Sequence, residues 1–336
     1  MVAAFRVQVK LKGSQRRGQT RGGHMAIMAE AGTPPLDWMQ PRAELHIHLD
    51  GSVEPDTLLE IDPSLTREEI AGRMAYTDFA GFIQSFIWVN QHLKSPDDYA
   101  RVARRLLERL EHEGVTYVEI ILSAGVILWK QLPFAPIYDA LVRESARHRI
   151  KVRWILDAIR QFGPEPAKPV FELAAERVGD GVVAIGLGGD EERGPALPFK
   201  ELFREASDRG LRLTCHAGEV TGPQSVWDAL AIGAERIGHG IRAIDEAALV
   251  KHLASKKIPL EICITSNLRT GAVRSLAEHP VRRLYDAGVP IILNSDDPAI
   301  FGCTLTGEYE LAAREFGFTE QELAGIADNA LLYAFE

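Results

Sequence analysis

Four short polar segments each follow an apolar run: His46-Ile47-His48, His216-Ala217-Gly218-Glu219, Gly238-His239-Gly240 and Ser295-Asp296-Asp297-Pro298. Imidazoles and carboxylates placed just past buried strands suit a metal site better than a core. Residues two apart on a strand share a face, so His46 and His48 can offer neighbouring nitrogens to one ion. His216 is a candidate third nitrogen ligand and Asp296 a candidate oxygen ligand. Three His and one Asp suit a borderline metal, one Zn2+ by default, with iron or cobalt as alternatives. Such a set leaves a position for water, whose pKa falls to about 7 on zinc, giving hydroxide at neutral pH. Glu219, three residues beyond His216, lies near the ligands yet is spared as one, as a general acid/base must be. His239, flanked by glycines, can orient the hydroxide and stabilise developing charge. Asp297 should face the substrate, and Gly189, within Gly188-Gly189-Asp190-Glu191, would let backbone N–H groups approach a flat ligand.

Each segment also has an ordinary explanation when taken alone. His-x-His occurs by chance, a lone His216 is more often a hydrogen-bonded core residue, and Asp-Asp-Pro opens turns well. What joins them is placement. From Arg42 onward, β-rich runs at 43–48, 115–122, 151–157, 182–188, 211–216, 235–238, 258–264 and 289–294 alternate with stretches of 3.6-residue periodicity, such as 98–112, 169–177 and 223–232. Eight such repeats predict an α/β fold, a (β/α)8 TIM barrel, whose chemistry gathers at the C-terminal ends of the strands. The polar segments follow strands one, five, six and eight. An open doubly wound sheet would carry a glycine-rich turn after the first strand, where this chain has His46-Ile47-His48. The stretch from about 54 to 96, with Phe82, Phe86 and Trp88, reads as a helical cap inserted after strand one, and these aromatics are candidate substrate contacts.

The formal charge is −9, but residues 1–24 hold six basic residues and no acidic one, so the remainder carries 32 basic against 47 acidic residues, −15. A body this acidic repels a phosphate backbone and argues against a nucleic-acid partner. Residues 1–35 read as a basic extension, disordered or not native, with Met25 or Met28 as the true start, and 36–336 as a single domain. No run approaches the ~20 apolar residues of a membrane helix. Three scattered cysteines fit a reduced, cytoplasmic protein. A homo-oligomer is compatible with the sequence.

Pro41 to Ser52, His-Ala-Gly-Glu, Arg236-Ile237-Gly238-His239-Gly240, Thr265-Ser266-Asn267 and Ser295-Asp296-Asp297-Pro298, in this order, resemble the adenosine deaminase family of the amidohydrolase superfamily. The resemblance runs from about residue 41 to the end and implies zinc on His46, His48, His216 and Asp296. It implies that Glu219 protonates a purine ring nitrogen while hydroxide attacks the adjacent carbon. His239 would position the hydroxide, and Gly189 and Asp297 would hold the purine. Leu156 to Gly163, Gly188-Gly189-Asp190-Glu191 and Trp88-Val89-Asn90 are most similar to the aminodeoxyfutalosine deaminase branch. That branch deaminates an adenine nucleoside bearing a carboxyphenyl group, on a route to menaquinone. Arg160 becomes a candidate for that carboxylate. The alternatives are an adenosine or adenine deaminase and, more remotely, a non-catalytic binding barrel. The end at Phe335-Glu336 falls earlier than the family's last helix and reads as a truncation.

Overall fold

The computed structural model describes residues 42–336. The basic extension lies outside them. Eight strands, β1 (Arg42–His48), β2 (Val115–Leu122), β3 (Lys151–Ile159), β4 (Val182–Gly188), β5 (Arg212–Ala217), β6 (Arg236–His239), β7 (Leu260–Ile262) and β8 (Ile291–Leu293), pair in parallel in sequence order. Helices lie between successive strands, and the fold is the expected (β/α)8 barrel.

The seam between β8 and β1 is closed at its upper end by His46, His48 and Asp296. His48 N–H donates to the Asp296 carbonyl at 2.8 Å, and Asp296 N–H donates to the His46 carbonyl at 3.1 Å. Lower down, the Asn294 side-chain oxygen accepts from the backbone N–H groups of Leu45 and His46. This seam sets the register of Asp296 against both histidines.

β7 and β8 are shorter than the apolar runs suggested. Pro259 and Pro290 have no N–H to give a ladder, although their carbonyls accept from Ile237 and Leu260. After Ile262 the chain turns directly into a short helix, Ile264–Arg269, and the Ile264 N–H goes to the Glu308 carboxylate instead of a strand.

Between β1 and β2 lie the cap helices α1 (Pro55–Ile61), α2 (Arg67–Arg73) and α3 (Phe79–His92), then α4 (Pro96–His112). Ser95 and Asp98 form a capping box that starts α4, and Tyr99, Val102, Leu106, Leu107 and Leu110 make its buried stripe. The cap is fastened to the rim of the barrel. Phe82 packs its ring 5.0 Å from that of Phe301, within the short helix Pro298–Phe301 that follows Asp297.

Candidate metal centre and active site

His46 and His48 leave β1 on one face, His216 comes from β5, and Asp296 sits just beyond β8. One donor atom from each lies within 4.8 Å of all the others. Asp296 Oδ1 is 3.5 Å from His46 Nε2 and 3.3 Å from His48 Nε2, and the Nε2 atoms of His48 and His216 are 3.2 Å apart. Ligands about 2.0–2.2 Å from one ion and separated by about 90–120° lie about 3–3.7 Å apart, so these spacings fit donors to a single shared ion. His46 Nε2 is fully buried with no hydrogen-bond partner, while its Nδ1 faces Glu261 Oε2 at 2.7 Å. The carboxylate thus accepts a hydrogen bond from Nδ1–H, which keeps the proton on Nδ1 and leaves Nε2 its lone pair. Three nitrogens and one oxygen so arranged fit a divalent transition metal.

Two of the gathered residues have backbones that side chains rarely adopt: φ is +64° at Asp296 and +62° at His239. Such conformations cost of order 1–3 kcal/mol and cluster where geometry serves function. At Asp296 the turn aims Oδ1 at the histidines while Oδ2 accepts from Ser266 Oγ at 2.6 Å. Burial works to raise the Asp296 carboxyl, but the His46 and His48 rings outweigh it and hold it well below the usual carboxylate range.

Glu219 stands outside the donor cluster, with Oε2 3.7 Å from His239 Nε2 and Oε1 3.4 Å from the Thr270 hydroxyl. Burial first, then the negative charges of Asp296 and Glu191, push its carboxyl up to about 8. A group so placed holds a proton at neutral pH and is free to give it away. Glu191 fastens the loop that carries it by accepting backbone N–H groups of Gly218, Val220 and Thr221. Burial lowers His239 to about 4, so its ring is neutral.

Asp297 is buried, one of its oxygens has no partner, and burial together with Asp296 raises it to about 8. Gly189 has φ +100°, and a Cβ there would run into the Gln161 side chain, whose oxygen accepts from Asp190 N–H. Arg160 is 1% exposed: Nε and Nη1 donate to the carbonyls of Gly194 and His216, and Nη2 is buried without a partner. Contact with a substrate carboxylate would require uncovering Nη2. In the cap, Phe82 and Phe86 join the cluster around Phe301, whereas Trp88 packs on His92 beneath Arg73, outside that cluster.

Several participants were not foreseen. Below the metal cluster, Arg236 on β6 bridges Glu261 on β7 and Glu119 on β2, at 2.5 Å to each. The Phe335 ring lies 3.6 Å under its guanidinium, and Phe335 N–H donates to Glu119. The signal was a charged residue within each of three buried strands, Glu119 and Glu261 inside β2 and β7 and Arg236 at the start of β6. Asp157 on β3 is buried with an unpartnered oxygen, in room left by Gly186 and Gly188 on β4. At the rim, Trp129, 63% exposed, stacks on Phe162, 41% exposed, on the segments after β2 and β3.

The sequence matches the adenosine deaminase family over residues 41–336. An aminodeoxyfutalosine deaminase of Streptomyces avermitilis is 38% identical over 309 residues, covering 88% of this chain and 86% of that one. The crystal structure of an adenine deaminase from Arthrobacter aurescens superimposes with a TM-score of 0.82 at 27% identity, covering 88% of this chain and 94% of that one. An amidohydrolase from Burkholderia ambifaria, solved with bound Zn, gives 0.82 at 27% identity, covering 89% and 86%. A barrel with a cluster of metal donors at its mouth is the frame of a hydrolytic deaminase, and the chain belongs to the adenosine deaminase family.

Proposed function

We propose that the protein is a cytoplasmic, zinc-dependent hydrolytic deaminase of a 6-aminopurine nucleoside, with aminodeoxyfutalosine as its substrate on the futalosine route to menaquinone. The observation that carries the deaminase reading is Glu219, held protonated beside four metal donors but not among them. Zinc on His46, His48, His216 and Asp296 supplies acidified water when bound. Glu219 gives its proton to the ring nitrogen next to the amine-bearing carbon. It then takes the proton of the added oxygen and passes it to the departing amine. Glu219, left ionised, regains its proton from the first proton released by the next water to bind, so that of each water's two protons one ends on the ring and one on ammonia. Asp297, held protonated, can donate to a second ring nitrogen. Gly189 brings the backbone close to the purine face, with Gln161 filling the space behind it. Phe82 and Phe86 exclude water on the cap side.

For the substrate, the exposed Trp129–Phe162 stack favours a nucleoside carrying a flat apolar group. Arg160 is kept as the partner of that group's carboxylate, with Nη2 as its free donor. Trp88 would contact substrate only by turning from its place on His92. Adenosine and adenine remain the competing substrates, since the family bears the name of one and the Arthrobacter neighbour that of the other.

Ammonia release from the three compounds, measured side by side on zinc-loaded protein, tests the proposal. Aminodeoxyfutalosine should give the highest kcat/KM, and Trp129→Ala should raise KM about tenfold for it alone, the range of a lost aromatic contact. Preference for adenosine or adenine overturns the substrate assignment, and no ammonia from any of them overturns the function.

A further inference from the structure

An imidazole that accepts a hydrogen bond at one nitrogen carries its proton on the other, so the contacts around the His239 ring decide which nitrogen donates. That choice decides whether the ring gives a proton to the attacking oxygen or could take one from it. The geometry points to a chain of hydrogen bonds, begun by the backbone amide of Val281 and passed through His279 and Asn267, that holds the proton of His239 on Nε2.

The chain has one direction because a backbone N–H can only donate. Val281 N–H donates to His279 Nδ1 at 3.2 Å, so Nδ1 is the lone-pair nitrogen of that ring and Nε2 carries its proton. His279 Nε2 lies 3.2 Å from the side-chain oxygen of Asn267, which accepts. With its oxygen engaged, Asn267 turns its amide nitrogen toward His239 Nδ1, 3.2 Å away, and donates. His239 Nδ1 is thereby the acceptor, and its proton sits on Nε2. Reversing any link would set two N–H groups, or two lone pairs, against each other in a buried site.

The surroundings keep the chain in place. His239, Asn267 and His279 are all buried. The His279 ring packs edge-on against Phe316, and burial holds it neutral, near 3. Asn267 lies in the helix Ile264–Arg269, so its side chain is fixed from a regular element. At the other end, His239 Nε2 faces Glu219 Oε2 at 3.7 Å and Asp296 Oδ2 at 3.9 Å. A proton there faces the ionised Asp296 carboxylate, which can only accept, whereas a lone pair would be set against that oxygen's own.

The consequence rests on the function proposed above. His239 donates to the attacking oxygen and cannot serve as its base, which leaves Glu219 as the residue that moves protons. His279 and Asn267 are positioning residues. His279 is joined to His239 through Asn267, and neither His279 nor Asn267 belongs to the donor cluster.

The test is His279→Leu, which removes the donor to Asn267 and lets its amide rotate. Protein labelled with 15N-histidine, with the His239 signals assigned by loss in His239→Gln, reports the tautomer directly by NMR. The parent should show His239 protonated on Nε2, and His279→Leu should show a mixture with the Nδ1 form. Metal content should stay unchanged, and kcat should fall about tenfold or more with KM little altered, as expected when an orienting partner of a catalytic histidine is lost. His279→Gln, whose amide can still donate to Asn267, should restore the Nε2 form and most of the rate. If His279→Leu is unstable, His279→Gln and the parent spectrum still decide the matter. A parent protonated on Nδ1, or a tautomer untouched by His279→Leu, overturns the inference. Because the NMR readout needs no substrate, failure of the proposed function would leave it standing.

Discussion

Replacing Glu219 by Gln should leave the metal in place and remove nearly all turnover. Gln keeps the size and the contact with Thr270 but has no proton to exchange. A carboxyl at its ordinary 4.5 is about 0.3% protonated at pH 7, whereas one held at about 8 is about 90% protonated. Burial, reinforced by Asp296 and Glu191, therefore raises the population of the acid form by up to about 300-fold at neutral pH, a gain that a bound cation reduces by offsetting Asp296. General acid–base catalysis contributes about 10²–10⁴ in rate, and Glu219→Gln should lose at least that much kcat. Steady-state ammonia release, with metal content measured on the same samples, is the assay. In the parent, the sign follows from the role: activity needs the protonated form, so it is present below the Glu219 pKa and lost as pH rises through it. The positive charge of a bound divalent cation places that midpoint at or below about 8. Parental turnover in Glu219→Gln would refute the reasoning. Loss of metal in that variant would make Glu219 a ligand and refute it in another way.

Two further outcomes follow from groups behind the site. Glu261→Gln removes the charge that fixes the His46 ring through Nδ1 and partners Arg236, so affinity for zinc should fall about 10–100-fold in chelator competition; unchanged affinity would show that Glu261 does not orient the ligand. Burial raises Glu44, Asp157 and Glu308 to about 7 each. Their folded values exceed their unfolded ones, so the stability they contribute is full below about pH 4 and is lost as pH rises toward 7. Chelator-treated protein should melt at progressively lower temperature between pH 5 and 7, and Glu308→Gln should flatten that slope; a slope that Glu308→Gln leaves unchanged would remove Glu308 from the account.

The sequence by itself determined the reaction type and the frame. A His-x-His pair on a strand places both rings on one side whatever the rest of the chain does. Eight alternating β and α elements then bring the ends of strands one, five, six and eight onto one rim. The separation of Glu219 from the ligands was also legible, because a tight Ala217-Gly218 turn lies between it and His216. What only the tertiary structure decided is how these groups are tuned. The left-handed backbone of Asp296 arises where β8 meets β1, 250 residues apart in sequence. The support of His46 by Glu261 spans a sequence separation of 215. The tautomer of His239 depends on an amide beyond β7, and the rise of Glu219 depends on burial and on the charges of Asp296 and Glu191 from other strands' ends. Local sequence carries periodicity and residue type, whereas proton positions and pKa values depend on dielectric and on partners that only the closed barrel brings within hydrogen-bond distance.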